Sequence, residues 1–265
     1  MSSLSTAREG NLIQSVVKAL DVLDCLATSD SALSVRQIAD QCGFSRPTTY
    51  RLLNTLQSRN FVQNTQDGSY HVGTRILSLG KSVLDRLDLA DIARPYIHAL
   101  SQKTEETVYL SILEGTEILY IAKAEGTRPV HMFCNIGTRN PVYNTSMGKA
   151  ILAFLPQERR DALLQKLSFR ARTRHTITDL PTLVEHLAVT RGRGFAIDNQ
   201  EVEEGIRCVG APVFDHTQQV VGAISVSGPA HRMTDERIDQ FGAYVMDTAK
   251  TISSKLGFTT ADTST

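Results

Sequence analysis

The sequence predicts an α+β protein: an N-terminal winged helix-turn-helix, a linker helix, and a larger C-terminal domain in which a sheet is flanked by helices. Three observations predict it. Residues 12–75 read as helix, helix, helix, hairpin, with caps and turns at the spacing such a motif requires. From Thr107 onward, short strand-like runs alternate with helical ones. The length, 265 residues, fits two domains better than one.

The first helix is predicted by Ile13, Val16, Val17, Leu20, Leu23 and Ala27, which recur at the spacing of one helical face. Ser34 opens the second, with Gln37 three residues on to complete a capping box, and Val35, Ile38 and Ala39 as its apolar stripe. Gly43 ends that helix as a C′ residue. Ser45 then caps a third helix with Pro47 in its first turn, where the missing N–H is no loss. Leu52, Leu53 and Leu56 carry this helix to about Asn60. Phe61-Val62 and Tyr70-His71-Val72 flank a loop holding Asp67-Gly68, a favoured hairpin turn. From Thr74, Ile76, Leu77, Leu79, Val83, Leu84 and Leu87 continue at helical spacing as the linker helix, and a further helix covers about 89–102.

In the larger part, strands are expected at 108–112, 118–122 and 130–134, separated by turns at Gly115 and Gly126. Helices follow at about 146–154, 156–167 and 180–191, and strands return at 195–197, 208–214 and 220–227. A C-terminal helix, 235–256, starts from Thr234 as its N-cap. These readings set the domains at 12–73 (winged helix-turn-helix), 74–90 (linker helix) and 91–258 (an α+β sensor-like domain), with 1–11 and 259–265 as flexible tails.

Composition narrows the function classes. Lys+Arg and Asp+Glu both number 28, so global charge does not mark a purely electrostatic nucleic-acid binder. The longest apolar run, residues 150–155, is far too short to span a bilayer, and residues 1–11 lack the apolar core of a secretory signal. A cytoplasmic protein with no membrane partner is therefore expected. Cys25, Cys42, Cys134 and Cys208 stand in no CxxC pair, so four free thiols and no metal site are expected. No phosphate-binding glycine loop, HExxH or GxSxG is present, and no cofactor is expected.

On a helical wheel, Leu52, Leu53 and Leu56 form the buried side of the third helix and Thr49 points inward. Pro47, Arg51, Asn54 and Ser58 fall opposite, flanked by Thr48 and Tyr50. Arginine suits guanine, asparagine suits adenine, and hydroxyls suit either, so this stripe has the chemistry of base readout. Residues 45–75 also carry four arginines (46, 51, 59 and 75) against Asp67 alone, the sign that a phosphate backbone attracts. Together with the caps at Ser34 and Ser45, the expected DNA-contacting set is Ser34, Ser45, Arg46, Pro47, Thr48, Tyr50, Arg51 and Asn54.

The run from Ser34-Val-Arg-Gln-Ile-Ala through Ser45-Arg-Pro-Thr-Thr-Tyr-Arg-Leu-Leu-Asn-Thr-Leu resembles the DNA-binding domain of IclR-type transcriptional regulators. Thr145-Ser-Met-Gly-Lys-Ala, Gly194-Phe-Ala-Ile-Asp-Asn-Gln-Glu, Gly205-Ile-Arg-Cys-Val-Gly-Ala-Pro-Val and Val221-Gly-Ala-Ile-Ser-Val-Ser resemble their effector-binding domain, which is GAF-like. The similarity spans about residues 12–258 in the family's order. It implies a homodimer or homotetramer that binds a pseudo-palindromic operator and responds to a small organic acid. Asn140-Pro-Val-Tyr-Asn-Thr, Asp198-Asn199 and Glu203-Glu-Gly-Ile-Arg-Cys resemble the branch that controls sugar-acid and pectin-breakdown genes. A repressor of a catabolic operon is the expected role, with an activator of the same fold as the alternative.

The residues matching the family's ligand positions are Asp198, Cys208, Ser225 and Ser227, with Ser146 and Met147 at a helix start. Strand alternation supports the set independently: Cys208, Gly210 and Pro212 share one face, and so do Ala223, Ser225 and Ser227. Ser225, Ser227 and the free N–H groups at Ser146–Met147 can donate to a carboxylate. Asp198 is expected to accept from a ligand hydroxyl and to repel a carboxylate. Lys149 is assigned to its helix or a domain interface, and Arg207 to a surface ion pair with Glu203 or Glu204. Two competing readings use Cys208: a nucleophile with His175, His186, His216 or His231, or a redox sensor. A catalytic role leaves residues 12–75 unexplained, so no enzyme is expected; the redox sensor would be a winged-helix protein that responds to oxidation through Cys208.

Overall fold

A computed structural model of the chain describes residues 12–84, 88–128 and 134–259. The chain divides into two units, residues 1–87 and 88–265.

The first unit comprises α1 (Gln14–Ala27), α2 (Val35–Cys42), α3 (Arg46–Ser58), β1 (Val62–Asn64), β2 (Tyr70–Val72) and α4 (Arg75–Leu84). Its turns form for the reasons the residues dictate. Ser34 and Gln37 cap α2 reciprocally, and Gly43 ends it at φ +69°, a conformation that glycine adopts without steric cost. Ser45 caps α3 by accepting from the Thr48 N–H, one residue after Pro47 enters the first turn. β1 and β2 pair antiparallel, and Leu33 bridges to Tyr70 at their edge. Val22, Leu26, Leu33, Ile38, Leu53, Val62 and Tyr70 form one core; each such burial contributes roughly 1.5–3 kcal/mol.

The amphipathic reading of α1 needs correction. Its core residues are Val22 and Leu26, whereas Ile13 (69% exposed), Val16 and Leu20 are uncovered. The stripe is thus split between the core and the surface. Ile76, Leu77 (73% exposed) and Leu79 leave α4 with a similar uncovered apolar face. The side chains of Val83, Leu84 and Leu87 lie outside the described residues.

The second unit holds α5 (Leu89–Thr104), β3 (Thr107–Glu114), β4 (Glu117–Ala124), β5 (Arg139–Pro141), α6 (Ser146–Phe154), α7 (Gln157–Leu164), α8 (Leu180–Arg193), β6 (Ala196–Asn199), β7 (Ile206–Phe214), β8 (Val220–Pro229) and α9 (Asp235–Lys255). The six strands form one antiparallel sheet in the order β5-β4-β3-β8-β7-β6. One face is aliphatic: Val108, Leu110, Val209, Ala211, Val213, Ile224 and Val226 pack with α5 and α9. The other carries Tyr109, Tyr120, Ala196 and Ala223 and packs with α6 and α8. The alternation seen along β7 and β8 in sequence is therefore a true division between two faces.

Three expectations differ in detail. β5 was not foreseen, because three residues ending in proline carry no periodic signal. Of the strand expected at 130–134, residues 130–133 lie outside the described residues, and Cys134 is in no strand. The helix expected at 156–167 stops at Leu164, where Lys166 and Leu167 donate to the carbonyls three residues back and tighten the last turn. Among the described residues, no helix is long and apolar enough to cross a membrane.

Candidate functional site

On α3 the wheel reading matches the structure. Thr49 is fully buried, with its hydroxyl donating to the Ser45 carbonyl at 3.2 Å. Arg46, Pro47, Tyr50, Arg51, Asn54 and Ser58 are exposed, and Thr48 is half-buried. The Ser34 hydroxyl donates to Gln37 Oε1 at 2.7 Å, and Ser45 Oγ lies 2.9 Å from Thr48 Oγ1. Both serines thus serve as caps at exposed helix starts. A cleft of about 580 Å³ between α1 and α3 brings Lys18 beside Thr48, Arg51 and Thr55. Lys18 was not foreseen, since only the packing of α1 against α3 puts its charge next to the reading helix.

In the second unit, sheet register gathers the other set. Asp198 pairs with Cys208, Cys208 with Ser227, and Ser227 with Thr107. The neighbouring row runs Ala196, Gly210, Ser225, Tyr109. Ser225 Oγ and Ser227 Oγ stand 3.5 Å apart. Against this face lies the start of α6, where Thr145 accepts from the Gly148 N–H at 3.0 Å as the N-cap. A Cβ on Gly210 would be 3.1 Å from the Ser146 carbonyl carbon, so the helix start rests on the glycine itself. Ser146, Met147, Asp198, Cys208, Ser225 and Ser227 are all buried. The structure therefore brings all six expected residues to one place.

Several participants were missed. Tyr109 occupies the strand position beside Ser225, and its hydroxyl accepts from the Cys134 N–H at 3.3 Å. Tyr120 meets it edge to face, with ring centroids 5.3 Å apart. Alternation along β3 puts Thr107, Tyr109 and Ser111 on this face, a signal available in the sequence. Lys149 lies one turn beyond Ser146 on α6 and is fully buried. It forms an ion pair with Glu201, whose own N–H donates to Asp198 Oδ1 at 2.7 Å. Arg207 also departs from expectation: it donates to the Met233 carbonyl at 2.6 Å and pairs with Asp235 at 2.7 Å, while Glu204 pairs with Arg174.

Electrostatics follow from burial. Burial raises the Asp198 carboxyl to about 7; the Lys149 charge opposes this and that of Glu201 adds to it. The expectation that Asp198 would repel a carboxylate thus fails over the pH range in which it keeps its proton. Burial, then the neighbouring Asp198, pushes the Cys208 thiol well above its ordinary value. All four cysteines are free. Among the described residues, no cluster of three or more histidine, cysteine or carboxylate groups is arranged to hold a metal ion.

A winged helix-turn-helix with a polar reading stripe, followed by a sheet domain with a buried polar cluster, defines a DNA-binding regulator that senses a small molecule. Residues 15–66 match the IclR helix-turn-helix domain, and residues 81–254 match the C-terminal domain of the bacterial transcriptional regulator IclR. The HTH-type transcriptional regulator XynR of Escherichia coli (strain K12) is 34% identical over 248 residues, 93% of this chain and 98% of XynR. The transcriptional repressor IclR of the same organism is 33% identical over 258 residues, 96% of this chain and 94% of that protein. The crystal structure of the Agobacterium tumefaciens repressor BlcR superposes with a TM-score of 0.81 at 26% identity, covering 94% of this chain and 99% of BlcR. The chain belongs to the IclR family of bacterial transcriptional regulators.

Proposed function

We propose that the protein represses a catabolic operon in the cytoplasm. In this reading it binds a pseudo-palindromic operator as a homodimer or dimer of dimers, and a small sugar acid or keto acid changes its hold on the DNA. Residues 12–73 read the operator, 74–90 link, and 91–258 bind the effector. The reading set is Ser34, Ser45, Arg46, Pro47, Thr48, Tyr50, Arg51 and Asn54.

The observation that carries the effector half is the buried cluster under the start of α6: two serine hydroxyls 3.5 Å apart, a thiol and a carboxyl. Hydroxyl and helix-start N–H donors, sheltered from water, suit a carboxylate. Repression is favoured by the names of two similar proteins, both called repressors. Self-association is favoured by the uncovered apolar faces of α1 and α4, since two half-sites need two reading helices.

A regulator is favoured over a Cys208 enzyme or redox sensor by the state of that thiol. Burial keeps it protonated, whereas the thiolate is the reactive species. None of His175, His186, His216 and His231 is hydrogen-bonded to it. The test is fluorescence anisotropy of the full chain on DNA from its own upstream region, with and without a series of sugar acids and keto acids. Salt-resistant discrimination from scrambled DNA, altered by one of the acids, is the expected result; turnover of any acid without DNA discrimination would overturn it.

A further inference from the structure

Beneath the hydroxyls of the candidate effector site, two carboxyl groups and one ammonium share a closed space. The side chains of Lys149 and Glu201 are 1% and 4% exposed, and Asp198 is 2% exposed. Glu201 Oε1 takes both the Lys149 ammonium and the Asn199 N–H, the latter at 3.4 Å. Its other oxygen, Oε2, is buried with no partner. Asp198 receives the Glu201 N–H through Oδ1 and meets Cys208 across the sheet, and Cys208 in turn meets Ser227.

The charges do not balance if both acids are ionised. Among the described residues, Lys149 is the only cation paired with either acid, and Glu201 holds it directly. From α8, His186 feels both Lys149 and Glu201, but burial first and then Lys149 lower its tendency to protonate, so it adds no second cation. From β4, Tyr120 faces the site as a protonated phenol that burial holds far above its ordinary value. A buried charge without partner or water is unfavourable, and the carboxyl outside the ion pair relieves it by keeping its proton.

We propose that Asp198 serves the effector as a neutral hydrogen-bond donor, and that Lys149 and Glu201 are the positioning pair that leaves the proton on it. This rests on the effector-site reading above. The site then offers three hydroxyl-type donors, from Asp198, Ser225 and Ser227, to a single anion. Its ligand class is narrowed accordingly. A 2-keto or 2-hydroxy carboxylate finds donors all round, whereas a 2-amino acid of the same skeleton finds for its ammonium group only the Glu201 carboxylate, whose charge Lys149 already neutralises.

A ligand-free measurement on the full chain tests the charge assignment. Difference infrared spectroscopy of wild type against Asp198→Asn should reveal a protonated-carboxyl band that titrates near neutral pH. Glu201→Gln should lower that midpoint by a unit or more, because the freed Lys149 turns its charge to Asp198; Lys149→Met should raise it. A wild-type band that titrates in the ordinary carboxylate range near 4, or a midpoint that Glu201→Gln leaves in place, overturns the proposal. Wild type and Asp198→Asn decide the first point even where the other variants fail to fold.

A second arm uses pyruvate and gluconate, the simplest probes of the two acid classes, in calorimetry from pH 6 to 8.5. Affinity should fall about tenfold per pH unit above the midpoint, where Asp198 ionises. Binding that is flat across this range overturns the donor role. If neither acid binds while the band titrates near neutrality, the effector reading and the donor role fall together, and the charge assignment alone stands.

Discussion

A side-chain carbon on Gly210 of β7 would sit 3.2 Å from the backbone nitrogen of Met147 at the start of α6. A Cβ there would be tighter than most real contacts, so the first turn of the helix would have to give by a few tenths of an ångström. Gly210→Val is therefore expected to lift the helix start and separate its N–H groups from Ser225 and Ser227. Overpacking of this kind costs roughly 1–3 kcal/mol of stability. Thermal melts should fall accordingly, and the effector response should be lost while operator affinity without effector is kept.

Arg51→Ala should weaken operator binding by about 1–3 kcal/mol, the value of one base-edge contact, and relax preference at a single base pair. Anisotropy on operator variants measures both, with far-ultraviolet circular dichroism to check the helices. Unchanged affinity in a folded variant would mean that another face of α3 reads the DNA.

Replacing both hydroxyls, Ser225→Ala with Ser227→Ala, should cost on the order of 1–3 kcal/mol of effector affinity, as for hydrogen bonds to a charged group. Both side chains are buried, and their hydroxyls meet each other at 3.5 Å while that of Ser227 also meets the Cys208 thiol, so the change removes few contacts of the fold. Calorimetry with the true effector checks it. Wild-type affinity in this double variant would move the site elsewhere.

Asp198 predicts a pH dependence of folding stability. Its folded value of about 7 lies above the ordinary 3.8, so between the two the folded state holds a proton that the unfolded chain has released. The stability this carboxyl contributes is complete below about 4 and is lost as pH rises through 7. The full span is on the order of 4 kcal/mol for a shift of about three units. Asp198→Asn should therefore come closest to wild type near pH 4 in urea melts and exceed it by a growing margin up to pH 8. Parallel curves across that range would refute the sign.

Leu77 tests self-association. It is 73% exposed on α4 in a run with Ile76 and Leu79, a face that a second copy would cover. Leu77→Asp should shift sedimentation toward monomer at micromolar concentration and weaken operator binding by at least tenfold. A variant that stays a dimer would transfer the interface to the Ile13, Val16 and Leu20 face of α1.

Most of the fold is written in local signals. Ser34 with Gln37, Gly43, Ser45 and Pro47 fix the helix-turn-helix within 14 residues, because caps and breakers act on their own neighbours. Strand alternation likewise separates Ser225 and Ser227 from Ile224 and Val226 without any tertiary knowledge. The Lys149–Glu201 pair was not legible, because its members are 52 residues apart and nothing local to either marks the other as its partner. The uncovered half of α1 was hidden for the opposite reason: periodicity marks an apolar face but not what meets it. β5, three residues long, has no period to detect.

The buried core of the first unit draws only on residues between Val22 and Tyr70, and those of the second only on residues between Ala93 and Leu256. Among the described residues, no buried core residue belongs to both. On the proposed reading, the address and the trigger are separate clauses: substitutions on α3 would re-target the protein to a new promoter, and substitutions around Asp198 would re-tune it to a new effector, without either change spoiling the other's packing. A lineage built this way diversifies by recombination as readily as by point mutation, and a chimera of two relatives joined between these cores should inherit its promoter from one parent and its inducer from the other.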